Sequence, residues 1–487
     1  MKVGIVLRVL SFVCLVVSLF MLLPLGLAFL DGAPDRGAFA VSLACGLLVS
    51  LLLSLGGTRG GQRDVLGIRE GVGVVGFAWV IASAVGALPY WSSGVTPHYV
   101  DAFFETMSGF TTTGATVLMD IEAAPRGILL WRALTHWMGG MGIIVLSLAI
   151  LPFLGIGGME LYKAEVPGVS AEKLTPRLQQ TAILLWGVYI ALTFLETGFL
   201  MFGGMSLFDA FAHSCSTIAT GGFSTKNASI AHFHSPYIEW VIVVFMFLSG
   251  VNFSLYFLLF AKQVRDFLRD EELRWYAAIV AVSSLVMVFS LRAGGLFTGL
   301  EPTLRRAAFH VVSVMTTTGF VTENYDLWPE LARFLFILLM AVGACGGSTG
   351  GGCKVVRFLL LGRQLRAETL RLLHPRAVIT ARFNGRPIQR GTLDSAASFL
   401  MLYLLLLVAG TLAVTAFTHP RLDVLSSFTG VLTCLSNVGP GLNALGPVEN
   451  FAWLPAGVKW ICSFCMLAGR LELFAVFLLF LPETWAR

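Results

Sequence analysis

The chain of 487 residues is 56% hydrophobic, and only 13% of its residues are charged. Soluble domains carry about a quarter charged residues, so this composition excludes a water-soluble globule, and the mean hydropathy of +0.81 agrees. The eight cysteines show no extracellular disulfide spacing, and Cys462 and Cys465 lie within an apolar run, where small packing residues are the plain reading. His232 and His234 fall in a short polar loop with no cysteine or carboxylate cluster close in sequence, and read as solvated.

In chain order, ten full spans of roughly 20 residues or more are expected near 5–30, 38–55, 68–91, 127–154, 181–203, 236–261, 275–296, 331–361, 391–417 and 453–481. The first is longer than a signal-peptide core and reads as a retained span. Four semi-apolar stretches, near 100–113, 208–220, 304–318 and 424–438, are too short to cross. An even number of spans leaves both termini on one side. Loops on that side hold 22 of the 33 Lys and Arg, nine of them within 354–390, so it is expected to be cytoplasmic by the positive-inside rule. The four short stretches then all enter from the outer side, where 15 acids against 10 bases favour cations modestly.

Each short stretch ends in a similar turn: Asp101–Gly114 (DAFFETMSGFTTTG), Asp209–Gly221 (DAFAHSCSTIATG), Ala308–Gly319 (AFHVVSVMTTTG) and Ser427–Gly439 (SFTGVLTCLSNVG). Aligned on the final glycine, a Phe stands ten or eleven residues earlier, and a small polar residue (Ser108, Cys215, Ser313, Thr433) stands six earlier. The glycines are 107, 98 and 120 residues apart, room for two spans each. The pattern is span, short helix, glycine turn, span, four times over. A helix that enters and stops halfway aims the partial negative charge of its carbonyl end at the membrane centre, which favours a cation. The glycine turn that follows can direct backbone carbonyls inward, and four such turns about one axis would make a ring of oxygens replacing a cation's hydration shell.

These motifs resemble the Trk/Ktr/HKT superfamily of cation transporters, most closely its bacterial TrkH/TrkG type. The likeness runs nearly end to end, with specific blocks at Asp101–Val117, His136–Leu151, Thr217–Ser229, Gly346–Val356, Asn437–Leu442 and Gly469–Glu472. It implies an all-α integral membrane fold, with four repeats of helix, pore helix and helix in pseudo-fourfold arrangement plus two extra N-terminal transmembrane helices. Expected boundaries are 1–60 for the extra helices and 61–160, 161–265, 266–385 and 386–487 for the repeats. The resemblance further implies uptake of K⁺ as the transported ion, no enzymatic activity and no organic cofactor. It also implies a homodimer in the lipid bilayer of the bacterial inner membrane, a cytosolic nucleotide-binding subunit of the TrkA type, and no nucleic acid. The residues expected to face the ion are Thr112, Thr113, Gly114, Thr220, Gly221, Thr318, Gly319, Asn437, Val438 and Gly439. Glycine at all four filter positions is expected to favour K⁺ over Na⁺.

Six of the ten residues Gly343–Gly352 are glycine. At about 1 kcal/mol each relative to alanine, they disfavour continuous helix by about 6 kcal/mol. The 331–361 span is therefore expected to break into two half-helices, with a joining loop that faces water or packed protein. The resemblance matches this stretch to an intramembrane loop that obstructs the pore. Gly346, Gly347, Ser348, Thr349, Gly350, Gly351 and Gly352 are accordingly gate candidates, and Arg470, a charge within the last span, reads either as a salt-bridge partner between helices or, as the resemblance implies, as an arginine projecting into the pore below the turns. Gly346–Gly350 also satisfies a GxSxG nucleophile pattern. A serine hydrolase needs a base within reach, however, and His136 and His310 are expected near the outer ends of their spans. Lys354 follows Cys353 and does not complete a phosphate-binding loop. A midplane transporter of inverted repeats conflicts with four turns entering from one side. No buried acid stands out as a proton carrier, and Glu472 reads as a structural partner of another group.

Overall fold

Apolar helices that must satisfy their own backbone in lipid account for nearly all of the chain's regular structure. The computed structural model describes residues 2–57, 68–142, 178–260, 262–377 and 379–485. Val3–Phe20, continued by Leu22–Leu30, packs against Arg36–Gly56 and against Ile68–Gly86. Small residues allow the close approach: Ser50 Oγ donates to Ser11 O at 2.7 Å, and a Cβ on Gly46 would meet Ser18.

The repeats follow in order. Each has a leading helix, a pore helix and a following helix. The leading helices are Ile68–Gly86, Leu178–Phe202, Glu271–Ala293 and Arg390–Thr418. The pore helices are Tyr99–Phe110, Leu207–Ile218, Leu300–Met315 and Val424–Ser436, of 12, 12, 16 and 13 residues. The second starts on Ser206 Oγ and the fourth on the Asp423 carboxylate, each accepting a first-turn amide. The following helices begin at Arg126, Pro236, Glu330 and Ala456. Each pore helix packs on its own leading helix and on the following helix of the repeat before it, and the fourth following helix packs on the first pore helix. The repeats thus close into a ring in chain order.

Among the described residues six helices are long and apolar enough to cross a membrane, or eight if two bent pairs each count as one span. Those pairs, Pro236–Ser249 with Phe253–Leu259 and Ala456–Arg470 with Phe474–Phe480, bend by 97° and 117°. The sequence showed these as continuous spans, whereas at the second bend Glu472 and Leu473 take positive φ. The expected break in the third following helix is present: Glu330–Val342 and Val355–Leu373 are joined by residues 343–354 without helix. The described part of the first following helix is Arg126–Gly140, and the rest of its expected range beyond residue 142 lies outside the described residues. A two-stranded hairpin, Arg382–Phe383 with Arg386–Pro387, precedes the last leading helix.

Candidate ion pathway

The four turns share one backbone geometry. Thr113, Gly221, Thr318 and Val438 each donate their amide to the carbonyl five residues earlier, of Ser108, Ser216, Ser313 and Thr433, at 2.8–2.9 Å. The residue before each donor is left-handed (Thr112, Thr220, Thr317, Asn437), as is the glycine after it (Gly114, Gly222, Gly319, Gly439). In the second turn the glycine matching Gly114 is therefore Gly222, one residue beyond the Gly221 chosen by sequence alignment. In this register the small polar residue six positions before is a hydroxyl in all four repeats, with Ser216 in place of Cys215.

These glycines meet around a closed circuit. A Cβ on Gly114 would lie 2.1 Å from Gly221 O, on Gly222 2.0 Å from Thr318 O, on Gly319 2.0 Å from Val438 O, and on Gly439 2.7 Å from Thr113 O. Each turn sets its carbonyl against the bare Cα of the neighbouring turn, so a side chain at any of the four displaces backbone.

Behind the turns stands a set of struts. Ser313 Oγ donates to Phe320 O at 2.7 Å and Thr433 Oγ1 to Pro440 O at 3.2 Å. Nine residues before the glycine are Glu105, His213 and His310. Glu105 accepts from Val117 N at 2.8 Å, His213 Nε2 bonds Ser224 Oγ at 2.9 Å, and His310 Nε2 accepts from Thr322 N at 3.3 Å. In the fourth repeat, where Gly430 holds that position, Thr429 Oγ1 accepts from Leu442 N at 3.2 Å. His136, expected near an outer helix end, is instead buried beside the second turn, its ring stacked on Phe223 with centroids 4.0 Å apart.

The seams between repeats carry cations, buried at Arg132, Arg305 and Lys459 and half-buried at Arg333. Arg132 Nε donates to Glu105 Oε1 at 2.8 Å, and its Nη1 to Ser224 O of the second repeat at 2.9 Å. Glu239 pairs with Arg305 between the second and third repeats. Arg333 Nη2 donates to Asn443 Oδ1 between the third and fourth, and Lys459 pairs with Asp101 between the fourth and first. Removing one partner of a buried pair of this kind is costly, because it leaves an uncompensated buried charge.

The glycine-rich stretch 343–354 lies directly beneath. Thr349 Oγ1 donates to Ile218 O, at the end of the second pore helix, at 3.0 Å. Gly352 N donates to Ser436 O, at the end of the fourth, at 3.0 Å. Gly351 N donates to Thr317 Oγ1 in the third turn at 2.7 Å, and a Cβ there would lie 2.2 Å from Ser436 O. Gly347 O accepts from Phe253 N at the bend of the second following helix. Arg470 reaches Thr349 O, Gly139 O and Gly140 O, and Glu472 pairs with Arg357. A cavity of about 140 Å³ is lined by Gly140, Met141, Thr349, Gly350, Lys354 and Arg470, among others. Ser348 Oγ donates to Cys345 O at 2.6 Å and has no histidine partner among the described residues, so the hydrolase reading gains nothing.

Among the predicted ion-facing residues, Asn437 Nδ2 bonds Thr113 Oγ1 at 2.9 Å, and Thr318 Oγ1 meets Thr316 Oγ1 at 2.8 Å. Thr112 and Thr220 supply left-handed backbone. Among the described residues there is no cluster of three or more His, Cys, Asp or Glu that would hold a metal ion.

Four short helices that meet in a ring of glycine turns, within an array of apolar spans, define a multi-pass membrane protein of the pore-helix type. The family model for TrkH, a cation transport protein, matches residues 62–485. The chain is 39% identical over 483 residues to the Trk system potassium uptake protein TrkH of Salmonella typhimurium, covering 98% of each. It is 36% identical to TrkG of Escherichia coli, over 86% of this chain and 85% of that one. The crystal structure of the potassium transporter TrkH from Vibrio parahaemolyticus superposes with a TM-score of 0.89 at 35% identity, covering 100% of both chains. The chain belongs to the TrkH family of cation transport proteins, within the Trk/Ktr/HKT superfamily; it is a transporter of the bacterial inner membrane and not an enzyme.

Proposed function

We propose that the chain takes up K⁺ through a channel-like pore whose filter is the ring of four glycine turns. The carbonyls of Thr113, Gly221, Thr318 and Val438 coordinate the dehydrated ion, together with neighbouring backbone at Thr112, Gly114, Thr220, Gly319, Asn437 and Gly439. The observation that carries this reading is the closed circuit in which each glycine abuts the next turn's carbonyl. The potassium uptake named for the relatives in Salmonella and Escherichia supports K⁺ as the ion.

The 343–354 loop is the gate on this reading. It covers the carbonyl ends of the second and fourth pore helices and is held by Arg470 of the fourth repeat, which also bonds the end of the first following helix. A homodimer, with both termini cytoplasmic and a cytosolic TrkA-type nucleotide-binding subunit on the inner face, completes the assembly. The pore repeats follow the boundaries read from sequence, 61–160, 161–265, 266–385 and 386–487. Reconstitution in liposomes tests the proposal. K⁺ flux is measured while Na⁺ and H⁺ gradients are varied separately; K⁺ flux without either gradient is expected, and its absence under every gradient would reject the pore.

A further inference from the structure

One carboxylate joins the glycine loop to the half-helix that follows it. Glu272, in the first turn of the third leading helix, is 6% exposed. Its Oε1 accepts from Gly346 N at 2.6 Å and from Val356 N at 3.2 Å. The first donor lies within the glycine loop, and the second lies at the start of the half-helix Val355–Leu373. A carboxylate suits that half-helix N-terminus on electrostatic grounds, but local capping does not require the bond to Gly346.

The same helix start is gripped from the cytosolic surface. Asn384 and Gly385 both take positive φ and form the two-residue turn of the 382–387 hairpin. Asn384 Oδ1 accepts from Glu271 N, and its Nδ2 donates to Asp270 Oδ2, both at 2.8 Å. Asp270 is the N-cap of that leading helix, accepting from Leu273 N at 2.9 Å. Arg363, on the half-helix itself, reaches Glu271 Oε2 at 3.0 Å. An unbroken line of hydrogen bonds and one helix turn therefore connects an exposed hairpin to the loop beneath the glycine turns.

We propose that Glu272 is a positioning residue for the gate and that the hairpin turn at Asn384 is the cytosolic lever that moves it. Displacing the hairpin shifts the start of the third leading helix and withdraws the carboxylate from Gly346 and Val356, which frees the loop. The inference rests on the reading of 343–354 as the gate and adds how that gate is reached from the cytosol.

The test uses the purified full chain in liposomes without any partner, with K⁺ efflux as the readout beside the melting temperature. Glu272→Ala and Asn384→Ala are each expected to raise basal flux at least threefold, with the melting temperature of Asn384→Ala unchanged. Glu272→Gln, which keeps an acceptor oxygen, should stay nearer the wild type, and the Ala–Ala double variant should not exceed Glu272→Ala alone. Asn384 is exposed, so its variant folds even if Glu272→Ala does not. Wild-type flux in Asn384→Ala, or independent multiplication of the two effects, overturns the lever. Deletion of Gly347–Gly351 run alongside separates the two readings. If the deletion leaves flux unchanged, the gate itself is wrong; if it raises flux while Glu272→Ala and Asn384→Ala do not, only the lever falls.

Discussion

Arg470 Nη1 donates to Thr349 O at 2.7 Å, so an arginine on the last repeat holds the backbone of the glycine loop of the third. Through Nη2 the same guanidinium bonds Gly139 O and Gly140 O, at the end of the first following helix, at 2.6 and 3.0 Å. The guanidinium lines the cavity beneath the turns, where a positive group opposes a passing cation. Arg470→Ala is expected to raise unitary K⁺ flux several-fold with the protein still folded. Poor expression together with early melting would instead make the arginine a folding element.

Gly114→Ser places a Cβ 2.1 Å from Gly221 O, and φ at Gly114 is +82°. The carbonyl must move and the ring must widen, which degrades discrimination by site size and coordination. The K⁺/Na⁺ uptake ratio is expected to fall by an order of magnitude or so. An unchanged ratio in a well-expressed variant would remove Gly114 from the filter.

The two adjacent glycines of the second turn are separable by experiment. A Cβ on Gly222 meets the Thr318 backbone carbonyl at 2.0 Å, whereas one on Gly221 meets the His136 ring at 2.4–2.6 Å. Side chains can be trimmed and backbone cannot. Gly221→Ala should therefore lose flux and regain part of it when combined with His136→Ala. Gly222→Ala should lose flux, and the His136 change should not restore it. Rescue of Gly222→Ala by His136→Ala would reverse the register.

Glu105 and Arg132 have side chains 0% and 2% exposed. Glu105→Leu leaves the guanidinium buried without its carboxylate, an error of about 3–5 kcal/mol. The variant should melt markedly earlier, and pairing it with Arg132→Met should recover much of the loss. A single variant as stable as the wild type would mean that water reaches the arginine.

The spans, the four turns and the broken third helix were readable in the sequence because each rests on repetition or on an extreme of composition. Six glycines in ten residues leave little choice to a helix. The other bends were hidden: the second turns on Gly250 to Asn252 within an apolar run, and the fourth on left-handed Glu472 and Leu473, residue types that announce no break. Gly221 and Gly222 are chemically identical, so only backbone conformation decides between them. The struts escaped notice because Glu105, His213, His310 and Thr429 share a role without sharing a side chain, and in the fourth repeat the role shifts by one residue. Glu272 and Asn384 lie 112 residues apart (384 − 272), and their connection exists only in space.

Residues Gly347–Gly351 carry most of the contacts that seat the loop under the glycine turns. Thr349 Oγ1 reaches both Ile218 O and Ser249 O, and Gly351 N reaches Thr317 Oγ1. Gly347 O receives Phe253 N, and Lys354 Nζ closes on Gly350 O at 2.6 Å. A passive kink for close packing needs one or two small residues; a seat built from this many separate hydrogen bonds, each individually worth about 1 kcal/mol, suits an element that is held and released. Deleting the five residues removes the seat, while the half-helix that follows remains tied to Glu472 through Arg357. The deletion is expected to raise basal K⁺ flux and to abolish its response to nucleotide when the cytosolic partner is present. A deletion variant that folds, keeps wild-type flux and still answers to nucleotide would show that the loop is scaffold, and the gate would have to be sought elsewhere along the pore.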